Sequence, residues 1–414
     1  MRLIIPHAYN VSGGVEKVTV SLIKEFIKVT DRVVFVLPGN KIDYFKKIIT
    51  YPDKLIFESF EWPDNSWQKK VQFILQSLSA SARKRGLNRI FPFKYLDSLK
   101  QIMRYDLKIS HLVKKHKATH CLYMIQNFNP VPKIKIPKAT IIYDLYWCDF
   151  AQRYNDKFKK RMADNLRDWG ANANILFTGS KKTGSDLIKY FPEYKQKVKI
   201  IYLAAELNKK RSFHKTDKNN LIFYQPAGIG FQKDHITLFR AALLLARKDL
   251  NFRIVLTGDR TNFLADDKHL GYGDEEDARI FYHKNKKILS KYVEILGYCD
   301  NKIVEKTYDK CSCVVLPSVF EGFGLPLLEA LKRGLPIICS DIPAFKELAD
   351  RYDSKDLVDF FRTKNSIALA KQMENFIKNP KKHLSGKEIK KRFSHWTWKD
   401  VAEAYIKELE KLSR

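Results

Sequence analysis

Two glutamates, Glu321 and Glu329, enclose the run Gly322-Phe-Gly-Leu-Pro-Leu-Leu328. Gly322 and Gly324 let the backbone approach a ligand with no Cβ in the way. The apolar stretch Cys311–Leu316 before them predicts a strand. Pro326 suits the first position of a helix, where its missing N–H costs nothing. Lys332 and Arg333 suit that helix's negative end, and Gly334 suits its stop. A strand feeding a glycine loop into a helix start leaves unpaired amides at the carboxyl edge of a sheet, and that chemistry holds a phosphate. Glu329, one turn into the helix, can accept two hydroxyls, as from a ribose. Glu321, at the loop entrance, is placed to face a sugar carried on the phosphate. The same spacing taken alone also fits an ordinary helix start.

The segment resembles the retaining GT-B glycosyltransferases of family 4, whose mark is two glutamates with seven residues between them. The resemblance implies that Glu329 binds the donor ribose and that Glu321 contacts the transferred sugar. It implies that the amides of Gly322, Phe323, Gly324 and Leu325 hold the phosphates. Glu294-Ile-Leu-Gly297-Tyr298-Cys299 resembles the strand and turn against which the nucleotide base packs. The run Tyr224–His235 resembles the donor-phosphate loop with its lysine, Lys233, although a solvated lysine at a helix start is the plainer reading of that residue. Family members often carry an arginine five positions before the lysine, where this chain has Gly228. Ser12-Gly13-Gly14-Val-Glu16 resembles the N-terminal glycine loop, so Gly13 and Gly14 are expected to face the donor; a capped helix start also accounts for them. Many members have His-Asp after a first-domain strand, and here that pair reads Tyr143-Asp144. Asp144 joins Glu321 as an expected catalytic residue, whereas a tyrosine with a pKa near 10 is a poor base. His7, at the end of the first strand, is placed to substitute for the missing histidine or to serve as a packed strand end. Retaining transfer in this fold is often assigned a front-face route, with the donor phosphate taking the acceptor's proton. No metal site and no cofactor are expected, with a nucleotide-sugar as substrate.

Positioning these residues requires alternating strands and helices. Apolar runs at residues 3–6, 33–37, 121–124, 139–143 and 175–178 predict strands of one parallel sheet. Runs at 221–224, 252–256, 292–296, 311–316 and 337–339 predict a second. Residues 67–118 carry helical spacing, with Val71, Ile74, Leu75 and Leu78 on one face. Polar residues 207–220 suit a linker. The predicted architecture is α/β: GT-B, two Rossmann-like doubly wound domains facing across a cleft. Residues 1–205 form the acceptor domain, 206–390 the donor domain, and 391–414 a closing segment that crosses back.

Length and composition agree with two domains of ordinary globular kind, 414 residues with 45% apolar content. Charge does not, at +30. Residues 1–200 hold 37 of the basic residues against 17 acidic ones. Arg83–Arg85 with Arg89–Lys94, and Lys157–Arg167, form basic stretches suited either to anionic lipid head groups or to a solvated surface. The six cysteines lack metal or disulfide spacing and read as free thiols in a reducing compartment. No apolar run spans a bilayer, and the chain opens on a strand-like run without a signal pattern, so the expected location is cytoplasmic, at most peripheral on the inner membrane face. No recognition helix, zinc finger or RNA-binding strand motif supports nucleic acid as a partner. The expected function is sugar transfer to a glycan or lipid-linked acceptor in polysaccharide or glycolipid synthesis. The alternative is a catalytically weak scaffold that binds glycan or nucleotide.

Overall fold

The computed structural model describes residues 1–7, 13–49, 53–59, 105–126, 131–207, 220–266 and 273–413. Ser12, the basic run at 83–94, most of the helical spacing at 67–118 and the linker from 208 to 219 lie outside them. Residues 105–115 are helical, as their spacing predicts.

Two all-parallel sheets form the frame. The first comprises β1 (Arg2–Pro6), β2 (Arg32–Leu37), β3 (Leu55–Ser59), β4 (His120–Tyr123), β5 (Lys138–Ile142), β6 (Ile175–Thr178) and β7 (Val198–Ile200). Its order is β3-β2-β1-β4-β5-β6-β7. The second comprises β8 (Ile222–Pro226), β9 (Arg253–Thr257), β10 (Val293–Ile295), β11 (Cys313–Leu316), β12 (Ile337–Ser340) and β13 (Val358–Phe361), in the order β10-β9-β8-β11-β12-β13. Strands β3, β7 and β13 escape a reading by apolar runs. Each is a sheet edge or next to polar sequence, so only the neighbouring strand reveals it.

Central strands are buried on both faces, which is why they read as continuous apolar runs rather than alternating ones. Helices cover the faces with apolar stripes. The helix Gly14–Val29 buries Val18, Leu22, Ile23, Phe26 and Ile27 on one side. Chain order reverses between β1 and β4 in the first sheet, and between β8 and β11 in the second. Ligand crevices of open parallel sheets form beyond the carboxyl ends of strands at such reversals. Gly13 and Gly14 follow β1, Lys233 follows β8, and the Glu321–Leu325 loop follows β11.

The final helix, Trp398–Glu410, packs against Gly14–Val29 of the first domain. Tyr405 puts its ring edge-on to Phe26 at 6.3 Å and against Phe177 at 4.4 Å. A capping box between Thr397 and Asp400 starts this helix. The Trp396 indole N–H donates to the Tyr202 carbonyl at 2.8 Å, and buried Lys332 donates to the Trp396 carbonyl at 2.9 Å.

Candidate functional site

The β11 strand ends at Leu316, and the chain runs through a loop into the helix Leu325–Leu331. Leu325 rather than Pro326 is the first helical residue, with Gly324 at the cap and Pro326 in second place. Gly324 has φ 93°, a left-handed turn that a side chain would strain, and a Cβ there would meet Phe345 at 2.9 Å. Lys332 and Arg333 fall just past the helix, and Gly334 follows with φ 64°. Phe323 is a core side chain, so only its backbone is available to a ligand. The loop is tied to the neighbouring β8 loop by Val319 N–H donating to the Gln232 carbonyl at 2.8 Å.

That tie brings the charged groups together. Lys233 Nζ lies 2.7 Å from Glu321 Oε1, and Ser318 Oγ donates to the same oxygen at 2.9 Å. Glu329 is buried, and both its oxygens are engaged. Tyr308 donates to Oε2 at 3.0 Å, and Lys17 Nζ, arriving from the first domain, bonds Oε1. The Arg333 guanidinium stacks 4.2 Å from the Tyr308 ring and donates to the Glu329 carbonyl. Thus Tyr308 is fixed from behind, and it in turn fixes Glu329.

Asp144 reaches the same place from the other side. Burial raises its carboxyl from the usual range to about 6. The Tyr146 amide opposes that rise by hydrogen bonding, Glu321 adds to it and Lys233 again opposes it. Gly322 sits directly against this strand end. A Cβ on it would fall 2.0 Å from the Tyr143 carbonyl and 2.8 Å from Asp144 Cβ. Its carbonyl accepts from Thr183 Oγ1 at 2.9 Å and from Ser180 Oγ. Only glycine allows the two domains to touch here.

Other sequence candidates sit differently. Tyr143 turns away from the cleft. Its hydroxyl is buried without a hydrogen-bond partner, and its phenol is raised by that burial and by nearby Tyr405. The phenol therefore offers the cleft nothing in place of a histidine. His7 is 3% exposed, between Phe35 and Phe45, and burial lowers it to about 4. It is neutral at physiological pH, as a packed strand end should be. Gly228 has a structural cause, because Gly258 packs onto it and a Cβ at Gly228 would come within 3.1 Å of the Asp259 amide. A side chain at that position would be crowded at its first carbon. Gly297 takes φ 74°, and Tyr298 is 69% exposed at the rim. Tyr44 across the cleft donates to Glu16, which raises its phenol, and Tyr298 adds to that rise. Gly13 has φ 75°, and among the described residues no atom lies within 4 Å of where a Cβ on Gly13 or Gly14 would be.

The domains are held together by contacts that motif reading does not reveal. Glu347 accepts from the Lys181 and Lys182 amides at 2.7 and 2.9 Å, capping a first-domain helix from the second domain. Beside it, with Lys182 Nζ lying 5.4 Å from the Phe320 ring, Phe150 meets Phe231 at 5.2 Å and Phe320 at 5.9 Å, both edge-on. Arg153 bonds Asp274 at 2.6 Å and covers the Phe231 ring at 4.5 Å. In the acidic run 274–277, Asp274 bridges the domains and Glu276 is buried against Arg279. Asp149 is engaged by Lys182 at 3.2 Å and by Tyr190. Among the described residues no group of three His, Cys, Asp or Glu side chains is arranged to hold a metal ion. Along Lys157–Arg167, Lys159 pairs with Asp156, while Lys160 and Arg167 approach Asp164. Part of that basic stretch is neutralised on its own helix. No helix among the described residues is long and apolar enough to cross a membrane.

Residues 206–393, just under half of the chain, match the family model of glycosyl transferases group 1. An O-antigen chain mannosyltransferase B of Escherichia coli is 32% identical over 78 residues, covering 19% of this chain and 20% of that relative. An uncharacterized glycosyltransferase of Methanocaldococcus jannaschii is 24% identical over 253 residues, covering 57% of this chain and 60% of its own length. The chain thus spans less than two thirds of the curated relatives it matches. A glycosyltransferase from Rickettsia africae superposes over 100% of this chain and 98% of its own, with a TM-score of 0.64 and 13% identity. The fold is GT-B.

Proposed function

We propose that this protein is a glycosyltransferase that binds a nucleotide-sugar on its second domain and transfers the sugar to a glycan acceptor bound on the first. The observation that carries this reading is the convergence of Glu321, Glu329, Lys233 and Asp144 on one cleft, with both glutamates held by dedicated partners. The match of residues 206–393 to the group 1 family supports it. So do relatives named as O-antigen mannosyltransferases, which make polysaccharide the proposed product.

In this reading the enzyme is of the retaining kind and needs no metal. Glu329 accepts the ribose hydroxyls. The Gly322–Leu325 amides and Lys233 oppose the charge of the diphosphate. The acceptor oxygen bonds to the anomeric carbon on the face from which the diphosphate leaves, and the acceptor proton passes to the departing phosphate oxygen. The protein's contribution is orientation and charge stabilisation in a site screened from water. Glu321, paired with Lys233, borders the sugar. Asp144, with its raised carboxyl, carries a proton in a fraction of molecules near neutral pH and can donate as well as accept a hydrogen bond. The basic excess of the first half suits an acceptor on a lipid carrier at the cytoplasmic membrane face.

Thermal-shift titration with UDP, GDP, ADP and dTDP, alone and as sugar conjugates, tests the reading. A ligand at 100 times its dissociation constant adds about 2.7 kcal/mol of stability. One nucleotide should shift the wild type, and Glu329→Ala should lose most of that shift. No shift at millimolar concentration with any of them would favour a scaffold without donor binding.

A further inference from the structure

Lys17 has no part in the motif reading, yet it makes a bond across the centre of the cleft. It lies in the first turns of the helix Gly14–Val29, directly after the Gly13 cap. Its ammonium bonds Glu329 Oε1 while Tyr308 holds Oε2. A lysine at this end of a helix is opposed by the helix dipole, so something outside the helix must repay its presence. Glu329 does so in this structure, but Glu329 is also the residue assigned to the ribose. Lys17 therefore bonds the same carboxylate that the ribose reading assigns to a hydroxyl.

We infer that Lys17 exchanges Glu329 for the diphosphate when donor binds, and supplies from the first domain the second phosphate cation that Gly228 does not. The inference rests on the donor-site reading above and extends it to a residue on the opposite wall. Two observations support it. The first is charge. With Glu321 paired to Lys233 and Glu329 paired to Lys17, each of the two glutamates is already matched by one cation. An incoming diphosphate adds negative charge, while ribose hydroxyls add none. Once neutral hydroxyls bond Glu329, the ammonium gains more from phosphate oxygens than from sharing the carboxylate. The second is geometry. The glycine loop that precedes Glu329 lies one helical turn before it, about 5.4 Å along the axis. The ribose and its 5′ phosphate must bridge that interval. Lys17 already reaches the ribose end, is partly exposed, and has a flexible four-carbon stem on which to swing. Gly228 cannot be the source, because glycine has no side chain to offer, and a Cβ there would already stand 3.1 Å from the Asp259 amide. The exchange also links donor binding to the domain junction, since the same ammonium contacts the second domain before and after.

The test compares a nucleoside with its own diphosphate. Wild type, Lys17→Met and Lys17→Arg are titrated by calorimetry with UDP, GDP, ADP and dTDP, and by NMR with the four nucleosides. Lys17→Met should weaken the preferred diphosphate tenfold or more, yet bind the matching nucleoside as well as wild type or more tightly, because a competitor for Glu329 is gone. Lys17→Arg should stay within about threefold of wild type for both. Equal weakening of nucleoside and diphosphate by Lys17→Met would make Lys17 a ribose-site support and overturn the exchange, as would no change in either. Wild-type protein that binds none of the eight compounds would instead overturn the donor-site reading, and this inference with it.

Discussion

At the residue scale, the cleft was partly legible from side-chain type and spacing. The Glu321–Glu329 interval, Lys233 and Asp144 were all nameable before any fold, because each depends on local sequence. What was not legible is where a side chain turns. Tyr143 precedes Asp144 in sequence, but its hydroxyl is buried without a partner among the described residues, near Tyr405. Lys17 was missed because its partner is 312 residues away. Its one local signal was a cation near the positive end of a helix. Asp144 yields a test at this scale. A carboxyl raised in the folded state contributes stability that is complete below its unfolded pKa, near 4, and is lost as pH rises through about 6. Asp144→Asn removes that loss. The variant should therefore gain on wild type between pH 4.5 and 7.5, by at most about 3 kcal/mol, while sugar transfer falls. Melting temperatures of both proteins at the two pH values check this. A constant offset between them would show that Asp144 is not the group titrating.

At the element scale, the central strands announced themselves because parallel strands covered by helices must be apolar on both sides. Edge strands did not, since β7 has two exposed positions of three. The loop after β11 was visible as a glycine loop, but the reason for one of its glycines was not. Gly324 answers to backbone conformation within its own domain. Gly322 answers to the other domain, whose Tyr143 carbonyl occupies the space of a Cβ. Gly322→Ala should therefore act as an interface substitution. Displacing the two strand ends should cost roughly 1–3 kcal/mol and enlarge the molecule in solution scattering. Gly324→Ala should destabilise the second domain without that enlargement. The same scattering profile from both variants would contradict this division of roles.

At the scale of the whole molecule, two sheets place their reversal points opposite one another, and both domains contribute the contacts that close the gap. Glu347 capping a first-domain helix, the Phe150–Phe231–Phe320 cluster and the Arg153–Asp274 pair are each small contributions spread over separate parts of the chain. None carries a local signature, which is why the sequence suggests two domains and a crossing helix but not how the domains meet. The closed arrangement is also what brings Lys17 to Glu329. The central claim is that this junction is a nucleotide-sugar site, and a crystal structure of the protein soaked with its best-binding nucleoside diphosphate tests it most directly. The expected result has ribose hydroxyls on Glu329, the diphosphate on the amides of 322–325 and near Lys233, and the base beside Gly297. A nucleotide bound elsewhere, with Glu329 still paired to Lys17 and Tyr308 alone, would contradict it.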